Sequence, residues 1–441
     1  MTGQHTLPIS GLDALPAIAD TVLDGGRAAA LERFASQGLP THKVEAWKYT
    51  QLKGVSDGAF RTATAEDGVG DVTFAPVLGA DVVSARLVFV NGQFRADLST
   101  TDGLPKGARL VSLAEMAKSD PAWLKENLGR AADGAADGLL SLNAAAITDG
   151  YVLTVDRSIT VDKPIEITNL VQNEDALAWF PRNMIVLGEN AEATFVVSQS
   201  GGEHGTSFIN GVNEITMGTD ARLRLYSLDD ASAGVTAVSR TFARLARNAQ
   251  LATFNLNSGY GLCRNEQSIL LEGEGADARI DGGYLLRDKA HCDNTTLIEH
   301  RVPNTTCNEV FKGVVDDTGR AVFQGKIVVC KDAQHTDGKM LNKTLLLSDK
   351  AEIDTKPELE IYADDVQCAH GATSGKIDET ALFYLRSRGI PEKLARNLLI
   401  RSFLGEATDR ITHEGVRDAI VARVEQWLPD TGDLLDEEKA A

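Results

Sequence analysis

Six short segments in the middle of the chain repeat one local pattern, and this repeat constrains the fold more than any other feature. In each segment a small residue follows polar residues or glycine, and polar and apolar side chains then alternate. The spacings between successive segments are 29, 29, 27, 43 and 31 residues. The segments are `NAEATF` from 190, `TDARLRL` from 219, `NAQLATF` from 248, `GADARI` from 275, `TGRAVF` from 318 and `DKAEID` from 349.

A quasi-period near thirty residues, built from strands and tight turns, is typical of a parallel β-solenoid. Each coil cannot bury its inward face alone, so it must stack on its neighbours. A β-sandwich would also give alternating strands, but it would not favour a recurrent spacing of this length. We therefore expect a mainly β protein whose core, residues 150–372, is a β-helix.

The flanking regions have different patterns. Residues 1–80 show apolar positions at helical spacing, and residues 81–149 mix an Asn91-Gly92 hairpin signal with a Ser112 helix cap. Residues 373–430 predict three helices, the first capped by Asp378, the second running from Pro391 to Gly405. The remaining residues, 431–441, form an acidic tail that we expect to be disordered.

Charge and composition exclude several functional classes. The formal net charge of −19 disfavours nucleic acid and anionic membrane as partners. The start of the chain has no secretion-signal pattern, and no apolar run reaches the roughly 18 residues that span a bilayer. Five cysteines without any CxxC pair argue against a disulfide framework and a self-contained zinc or ferredoxin-type site. We expect a soluble, cytoplasmic protein.

Cys368 and His370 are the first candidates for chemistry. Residues i and i+2 of a strand point to one side, so thiolate and imidazole could face one metal ion. The alternative is that Cys368 is simply packed, because cysteine is among the most buried residue types. Cys263 and Cys292 are 29 residues apart, a spacing that predicts stacking on neighbouring coils, either as metal ligands or as packed side chains.

The end of the chain also has the composition of a docking surface. It combines apolar and basic side chains in an otherwise acidic protein, and more of them than the helices' own core requires. The candidate partner-binding residues are Leu382, Phe383, Arg386, Arg388, Leu398, Leu399, Arg401 and Phe403.

An enzymatic function is the alternative that the fold class suggests. Many β-helix proteins act on carbohydrates through clustered acids, and acids are plentiful here, as in `YADD` from Tyr362 to Asp365. The chain has no P-loop, no GxSxG and no HExxH motif. A cytoplasmic β-helix enzyme acting on a glycan or small substrate remains the alternative to a non-catalytic scaffold.

Three stretches together resemble one known family: `PTHKVEAWKYT` (40–50), `ELEIYADDVQCAHGATSGKID` (358–378) and `LFYLRSRGIPEKLARNLLIRSFLGE` (382–406). The chain resembles the SufB/SufD family of iron–sulfur cluster assembly scaffolds over essentially its whole length. The `EAWKYT` element and the `CxHGATxGxID` form are more similar to the SufD members than to SufB. Within `EAWKYT`, the residues alone predict that Trp47 docks the N-terminal arm on the body.

The resemblance implies a right-handed parallel β-helix with helical regions at both ends. It implies pairing with a SufB-like paralogue through the β-helix and docking of a SufC-like ABC ATPase on the C-terminal helices, with sulfur donors acting indirectly. The matching positions for a transient iron or iron–sulfur ligand are His370 and Cys368, and no permanently bound cofactor is expected. Whether the isolated chain forms a homodimer is left open by the resemblance.

One departure from the family pattern affects the site. Where SufB has its cluster-ligand cysteine, this chain has `MLNKTLLLSD`, without a cysteine. The resemblance therefore implies that a complete cluster is shared with SufB rather than held by this chain alone.

Overall fold

The computed structural model describes residues 9–12, 18, 26–132, 134–135 and 137–429. The predicted acidic tail, residues 431–441, lies outside the described residues. The helices are α1 (Gly26–Gln37), α2 (Lys53–Ser56), α3 (Leu113–Ser119), α4 (Pro121–Asn127), α5 (Gly138–Ala146), α6 (Glu379–Ser387), α7 (Glu392–Thr408) and α8 (Glu414–Trp427).

Strands dominate the rest of the described chain. The first part contains β1 (Ile9–Ser10), β2 (Phe60–Thr62), β3 (Ala85–Val90), β4 (Gln93–Phe94), β5 (Ala108–Ser112), β6 (Tyr151–Val155), β7 (Ile165–Val171), β8 (Ala176–Trp179) and β9 (Arg182–Leu187). The second part contains β10 (Glu192–Gly201), β11 (Thr206–Met217), β12 (Arg222–Ala231), β13 (Val235–Leu245), β14 (Gln250–Asn257), β15 (Leu262–Leu271), β16 (Asp277–Leu286), β17 (His291–His300), β18 (Thr306–Val315), β19 (Arg320–Val329), β20 (Asp337–Leu346), β21 (Glu352–Ile361) and β22 (Gln367–Gly375).

From β10 onward, alternate strands join two parallel sheets, which confirms the β-helix. Even-numbered strands stack in a ten-stranded sheet that ends at β22, and odd-numbered strands stack in a twelve-stranded sheet that ends at β21. Pairing is in register along each stack; Arg222 lies between Glu192 and Gln250. The main apolar core fills the space between the sheets.

The repeated segments mark the corners of the coils. In the first four segments a residue with positive φ, such as Asn190, Asp220 or Asn248, makes the turn, and Asn and Asp tolerate that conformation better than other side chains. A buried alanine follows it, as at Ala191 and Ala221, because only a small side chain fits inside the corner. The segments therefore have their composition for a structural reason.

The irregular spacing of 43 residues marks a change of sheet. The first four segments begin β10, β12, β14 and β16 of the ten-stranded sheet, whereas the last two begin β19 and β21 of the other sheet. The pattern thus moves by about half a coil without any break in the solenoid. The corners of the last two segments differ in detail, since Asp317 has positive φ without an alanine directly after it, and Ala351 has no residue of positive φ directly before it.

Among the described residues of the N-terminal region, 9–12, 18 and 26–80, short strands accompany the helices α1 and α2. Ile9 and Ser10 pair with Phe60 and Arg61, and β2 continues the twelve-stranded sheet. The hairpin prediction is confirmed: Asn91 and Gly92 both have positive φ and join the antiparallel strands β3 and β4. The spacing of apolar residues in the sequence cannot reveal which short strands pair in the folded protein.

The three predicted C-terminal helices are present, and the largest difference in their boundaries is at the end of the second. The Asp378 side chain caps α6, accepting hydrogen bonds from the backbone N–H groups of Thr380 and Ala381. The predicted end of the second helix at Gly405 is wrong, because α7 continues to Thr408. Leu404 and Ala407 are buried against the body, so packing extends the helix past the glycine.

Candidate functional site at the last coil

Cys368 and His370 lie on β22, the last strand of the ten-stranded sheet. Within the described residues β22 pairs only with β20, so its other edge has no strand partner. Cys368 is half-buried and packs against the main core, whereas His370 is exposed. The candidate ligands therefore lie at an open end of the solenoid.

The register shows which way the two side chains face. Cys368 stacks on Gly338 and then Cys307, and His370 stacks on Met340 and then Glu309. The side chains of Cys307, Glu309 and Met340 are buried. Cys368 and His370 therefore lie on the same face of the sheet as these interior side chains, as the i and i+2 spacing predicts.

Gly338 separates two thiols inside this stack. A methyl group there would lie 3.4 Å from Cys368 Sγ and 3.5 Å from Cys307 Sγ. Burial raises the pKa of the Cys368 thiol, so at neutral pH this thiol keeps its proton until a cationic ligand displaces it.

In the same described ranges, β21, the last strand of the other sheet, likewise pairs with a strand on one side only, β19. None of the residues of β21 is fully buried, and Ile361 and the following Tyr362 are exposed. Pro357 lies within β21, and proline inside a sheet is confined to edge strands and bulges. Two unpaired strand edges therefore occur together at one end of the body, which is a ready surface for pairing with another chain.

The helices that follow β22 expose only part of the predicted docking residues. Phe383 is 71% exposed, and Leu398 is 37% exposed. Leu382 is only 2% exposed, so it cannot contribute to the predicted docking surface. Leu399 and Phe403 are partly buried against the second apolar cluster, which lies between the helices and the ten-stranded sheet.

The predicted basic residues of this end are accessible but not unpaired. Arg386 forms an ion pair with Glu392, and Arg401 lies 2.8 Å from Glu425. The Arg388 guanidinium lies over the Tyr384 ring at 5.3 Å from its centroid. Exposed ion pairs are weak, so a partner could exchange them for its own acids at small cost.

Buried polar contacts fix α7 and the segment after it on the ten-stranded sheet. Lys312 is 1% exposed, and its Nζ donates to the backbone oxygen of Phe403 at 2.8 Å. The Arg410 guanidinium donates to Asp281 at 2.8 Å and to Asn308 at 2.7 Å. The helical end is therefore held firmly against the body.

The `EAWKYT` motif forms the predicted anchor of the N-terminal arm. Trp47 is buried, and the Arg264 guanidinium lies 4.1 Å from the centroid of its ring. The Thr50 hydroxyl donates to Asp293, which also pairs with Arg264. Glu45 reaches Lys356 of β21 at 2.7 Å. The arm thus docks on the outer face of the twelve-stranded sheet and touches the last coil.

The second candidate cysteine pair lies inside the solenoid. Cys263 stacks in register on Cys292, as their spacing predicted, and both thiols lie in the apolar core. His335 lies in a turn and pairs with Asp365 at 3.0 Å. Within the part of the chain that the structure describes, no three His, Cys, Asp or Glu side chains are grouped to hold a metal ion.

Sequence analysis did not single out His300 or Glu309, although both lie inside the last coils. Cys307 and Glu309 have the same i, i+2 spacing as Cys368 and His370, two repeat lengths earlier in the chain. A search for paired donors at multiples of the coil length would have found them.

None of the described helices is long and apolar enough to cross a membrane.

Comparison with known proteins agrees with this architecture. The sequence matches the family described as "SUF system FeS cluster assembly, SufBD core domain" over residues 170–403 and "SufBD protein N-terminal region" over residues 12–167. It is 33% identical to the iron–sulfur cluster assembly protein SufD of Escherichia coli, over 90% of this chain and 92% of that protein.

Two further relatives extend the comparison. The chain is 30% identical to a SufBD family protein of Synechocystis, over 89% of this chain and 88% of the relative. It is 28% identical to SufD of Bacillus subtilis, over 65% of this chain and 66% of that protein. With both family regions matched and the β-helix in place, the chain belongs to the SufBD family of the SUF system for iron–sulfur cluster assembly.

Proposed function

We propose that this chain is a non-catalytic, cytoplasmic scaffold subunit for iron–sulfur cluster assembly. It pairs with a SufB-like paralogue through the last coil and docks a SufC-like ABC ATPase on the C-terminal helices. His370 and Cys368 contribute ligands to iron or to a nascent cluster that both β-helix subunits share. The cluster is the cargo of the complex rather than a resident cofactor.

The observation that carries this proposal is the position of the two ligands on an unpaired edge strand. Cys368 and His370 face one side of β22, and a second chain can add its own strand along the free edge of that sheet. Thiolate and imidazole suit iron. Two protein donors leave coordination positions for the partner, which fits a shared site better than a closed one.

The helices after β22 support the position of the ATPase. Only two residues, Lys376 and Ile377, separate β22 from the Asp378 cap of α6. A movement imposed on α6 by the ATPase would therefore reach the ligand strand through a very short connection. The exposed Phe383 and Leu398 supply the apolar contacts for such a partner.

The alternative function, a solitary β-helix enzyme, requires a groove with converging acids. An open groove of about 1140 Å³ is lined by Asp230, Asp288 and Asp317 among others. Asp230 is occupied by an ion pair with Arg423. A solitary enzyme would leave the edge strands and the helical end without a function, whereas a scaffold subunit binds its partners there.

The test is anaerobic purification of the tagged full-length chain from its native cytoplasm, followed by mass spectrometry of the proteins that accompany it. A stoichiometric ABC ATPase and a homologous β-helix subunit are the expected companions. Purification as a monomer or homodimer from cells that make both companions would overturn the proposal and favour the solitary enzyme.

The ligand part of the proposal has its own test in the assembled complex. His370→Ala should lower the amount of cluster formed by at least about tenfold, measured by the visible absorption of the reconstituted complex. His335→Ala is the matched control, because His335 is also exposed but lies in a turn outside the proposed site. Equal cluster yields from the two variants would contradict the role of His370.

A further inference from the structure

Polar side chains line part of the solenoid interior in its middle coils. Four strands of the twelve-stranded sheet, β9, β11, β13 and β15, carry a row of polar residues in register: Asn183, Asn213, Thr241 and Gln267. Thr241 and Ala243 lie two residues apart on β13, and Ala243 belongs to the main apolar core, so the row faces inward. Amide and hydroxyl groups therefore follow the axis of the solenoid over four strands.

The ten-stranded sheet presents polar residues opposite this row. Asn169, Gln199 and Asp229 are in register on β7, β10 and β12. Ser227 and Asn255 form a neighbouring pair on β12 and β14. All of these side chains, from both sheets, line a single cavity of about 140 Å³. The interior of the middle coils is thus polar, although it is continuous with an apolar core.

Hydrogen bonds between the lining groups hold them in fixed orientations. Asn213 Nδ2 donates to Thr241 Oγ1 at 3.2 Å, and Asn213 Oδ1 accepts from Asn183 Nδ2 at 2.8 Å. On the other side, Asn255 Nδ2 donates to the Asp229 carboxylate at 2.8 Å. An amide has two N–H donors and two acceptor sites, and a hydroxyl has one donor and two acceptor sites. These bonds therefore leave hydrogen-bonding capacity for molecules inside the cavity.

Gln199 shows where such a molecule is needed. Among the described residues, its Nε2 atom is buried and has no hydrogen-bond partner, although the side chain lines the cavity. An unpaired buried donor costs free energy, and a hydrogen bond to water removes that cost. A cavity holds water when it is polar and offers about 10–15 Å³ or more for each molecule. This cavity meets both conditions.

Aromatic side chains fill the interior in the coils that follow this cavity. Phe311 of β18 and Phe323 of β19 are buried, and their ring centroids are 5.0 Å apart. The Phe311 ring lies against Gly282, the residue in register with Asn255 on the next strand. Because Gly282 has no side chain, the ring takes the space that a polar residue takes in the preceding coils. The polar cavity is therefore confined to the middle of the solenoid.

We propose that the middle coils bind a file of about five water molecules along the solenoid axis. The number follows from the length of the polar row, because four strands span about 14 Å at the usual spacing and hydrogen-bonded oxygens lie about 2.8 Å apart. The waters accept from Gln199 and donate to Asp229 on one sheet, and they bond to Thr241 on the other. They link the two sheets as a permanent part of the folded chain, independently of the proposed partners.

Two measurements on the full-length chain test the proposal. High-resolution crystallography locates the waters, and oxygen-17 magnetic relaxation dispersion counts those that stay inside the protein in solution. Thr241→Val removes one hydroxyl from the row at nearly unchanged volume, so the count should fall by at least one water. Thr236→Val is the matched control, because Thr236 is also half-buried on β13 but faces the other side of the sheet. It should leave the count unchanged.

The density map of the parent chain does not depend on any substitution, so the test holds even if Thr241→Val does not fold. A line of ordered waters between the two sheets is the expected result. The proposal is overturned if the map shows no ordered water between Gln199 and Thr241, or if the folded Thr241 and Thr236 variants hold equal numbers of long-lived waters.

Discussion

Strands β18 and β22 belong to the same sheet and carry similar chemistry, but their surroundings differ. β18 places a cysteine and a glutamate two residues apart in the buried interior, and β22 places a cysteine and a histidine at the same spacing on an exposed edge. Their residues are in register through β20. Position in the stack, rather than local structure, separates them.

One repeated strand geometry therefore serves two purposes, packing inside the stack and contact with a partner at its end. In the middle of the stack every strand has two neighbours, so its side chains are selected for packing. At the last coil the same geometry has one neighbour, so stability depends little on the side chains and they are available to a partner.

The largest contrast in stability should come from Phe311 of β18 and Ala372 of β22, which share a register position. Phe311 is buried, with its ring centroid 5.0 Å from that of Phe323. Phe311→Ala should cost about 3–5 kcal/mol in the free energy of unfolding, because it leaves a cavity in the core. Ala372→Ser on the exposed strand should change it by less than about 0.5 kcal/mol. Urea unfolding of the purified chain measures both, and similar losses would mean that the last coil is not open.

The next effect depends on pH and concerns Asp149, near the start of the solenoid. Asp149 precedes β6, and burial raises its pKa from 3.8 to about 7. Its stabilising contribution is therefore complete below about pH 4 and is lost as pH rises through about 7, at a cost of up to about 4 kcal/mol. Asp149→Asn keeps an oxygen for the Ala114 N–H and should lose less stability over that range. Melting temperatures between pH 4 and 8 measure this, with Asp120→Asn as the exposed helix-cap control; parallel curves for Asp149→Asn and the parent chain would refute it.

A smaller loss is expected where the N-terminal arm covers the middle coils. Thr50 is fully buried, and its hydroxyl bridges Asp293 and His291 Nε2, the latter at 3.0 Å. Thr50→Val should cost about 1–3 kcal/mol, because it leaves buried polar groups unpaired. Hydrogen exchange of residues 45–50 should show the arm opening more often. Thr41→Val, at an exposed position, is the control, and equal exchange in both variants would show that the arm does not depend on this contact.

The smallest change in stability should accompany the largest change in partner binding. Phe383→Ser should alter the free energy of unfolding by less than about 0.5 kcal/mol but weaken binding of the ABC ATPase at least about tenfold. Val69→Ser is a matched control, since Val69 is 72% exposed and Phe383 is 71% exposed. Calorimetric titration with the ATPase distinguishes them. Unchanged affinity for the Phe383 variant would place the docking surface elsewhere.

Features that depend on short-range chemistry could be predicted from the sequence. The Asn91-Gly92 turn, the Asp378 cap and the coil corners each depend on a few adjacent residues, so their signals survive in one sequence. The solenoid followed from the repetition of those corners. The exposed position of His370 also agreed with its place at the end of the repeat.

Features that depend on which strands stack could not be predicted. The contact between His300 and Cys307 requires the corner between β17 and β18, and the burial of Glu309 requires strands on both sides of β18. Leu382 looked equivalent to Phe383 in the sequence, but the direction of α6 buries one and exposes the other. Helix continuation past Gly405 likewise depends on packing against strands distant in sequence, such as β18, whose Lys312 is 91 residues from the contacting Phe403.

The contact between Glu45 and Lys356 also has a consequence for the order in which the molecule is completed during synthesis. These residues are 311 positions apart, which corresponds to roughly 15–60 s of translation at about 5–20 residues per second. Trp47 is made early, but Arg264 and Asp293, on which its segment docks, emerge much later. The first part of the chain to leave the ribosome is therefore among the last to find its place. A chain that stops before β21 keeps this arm without its final contact, so the arm distinguishes finished molecules from unfinished ones.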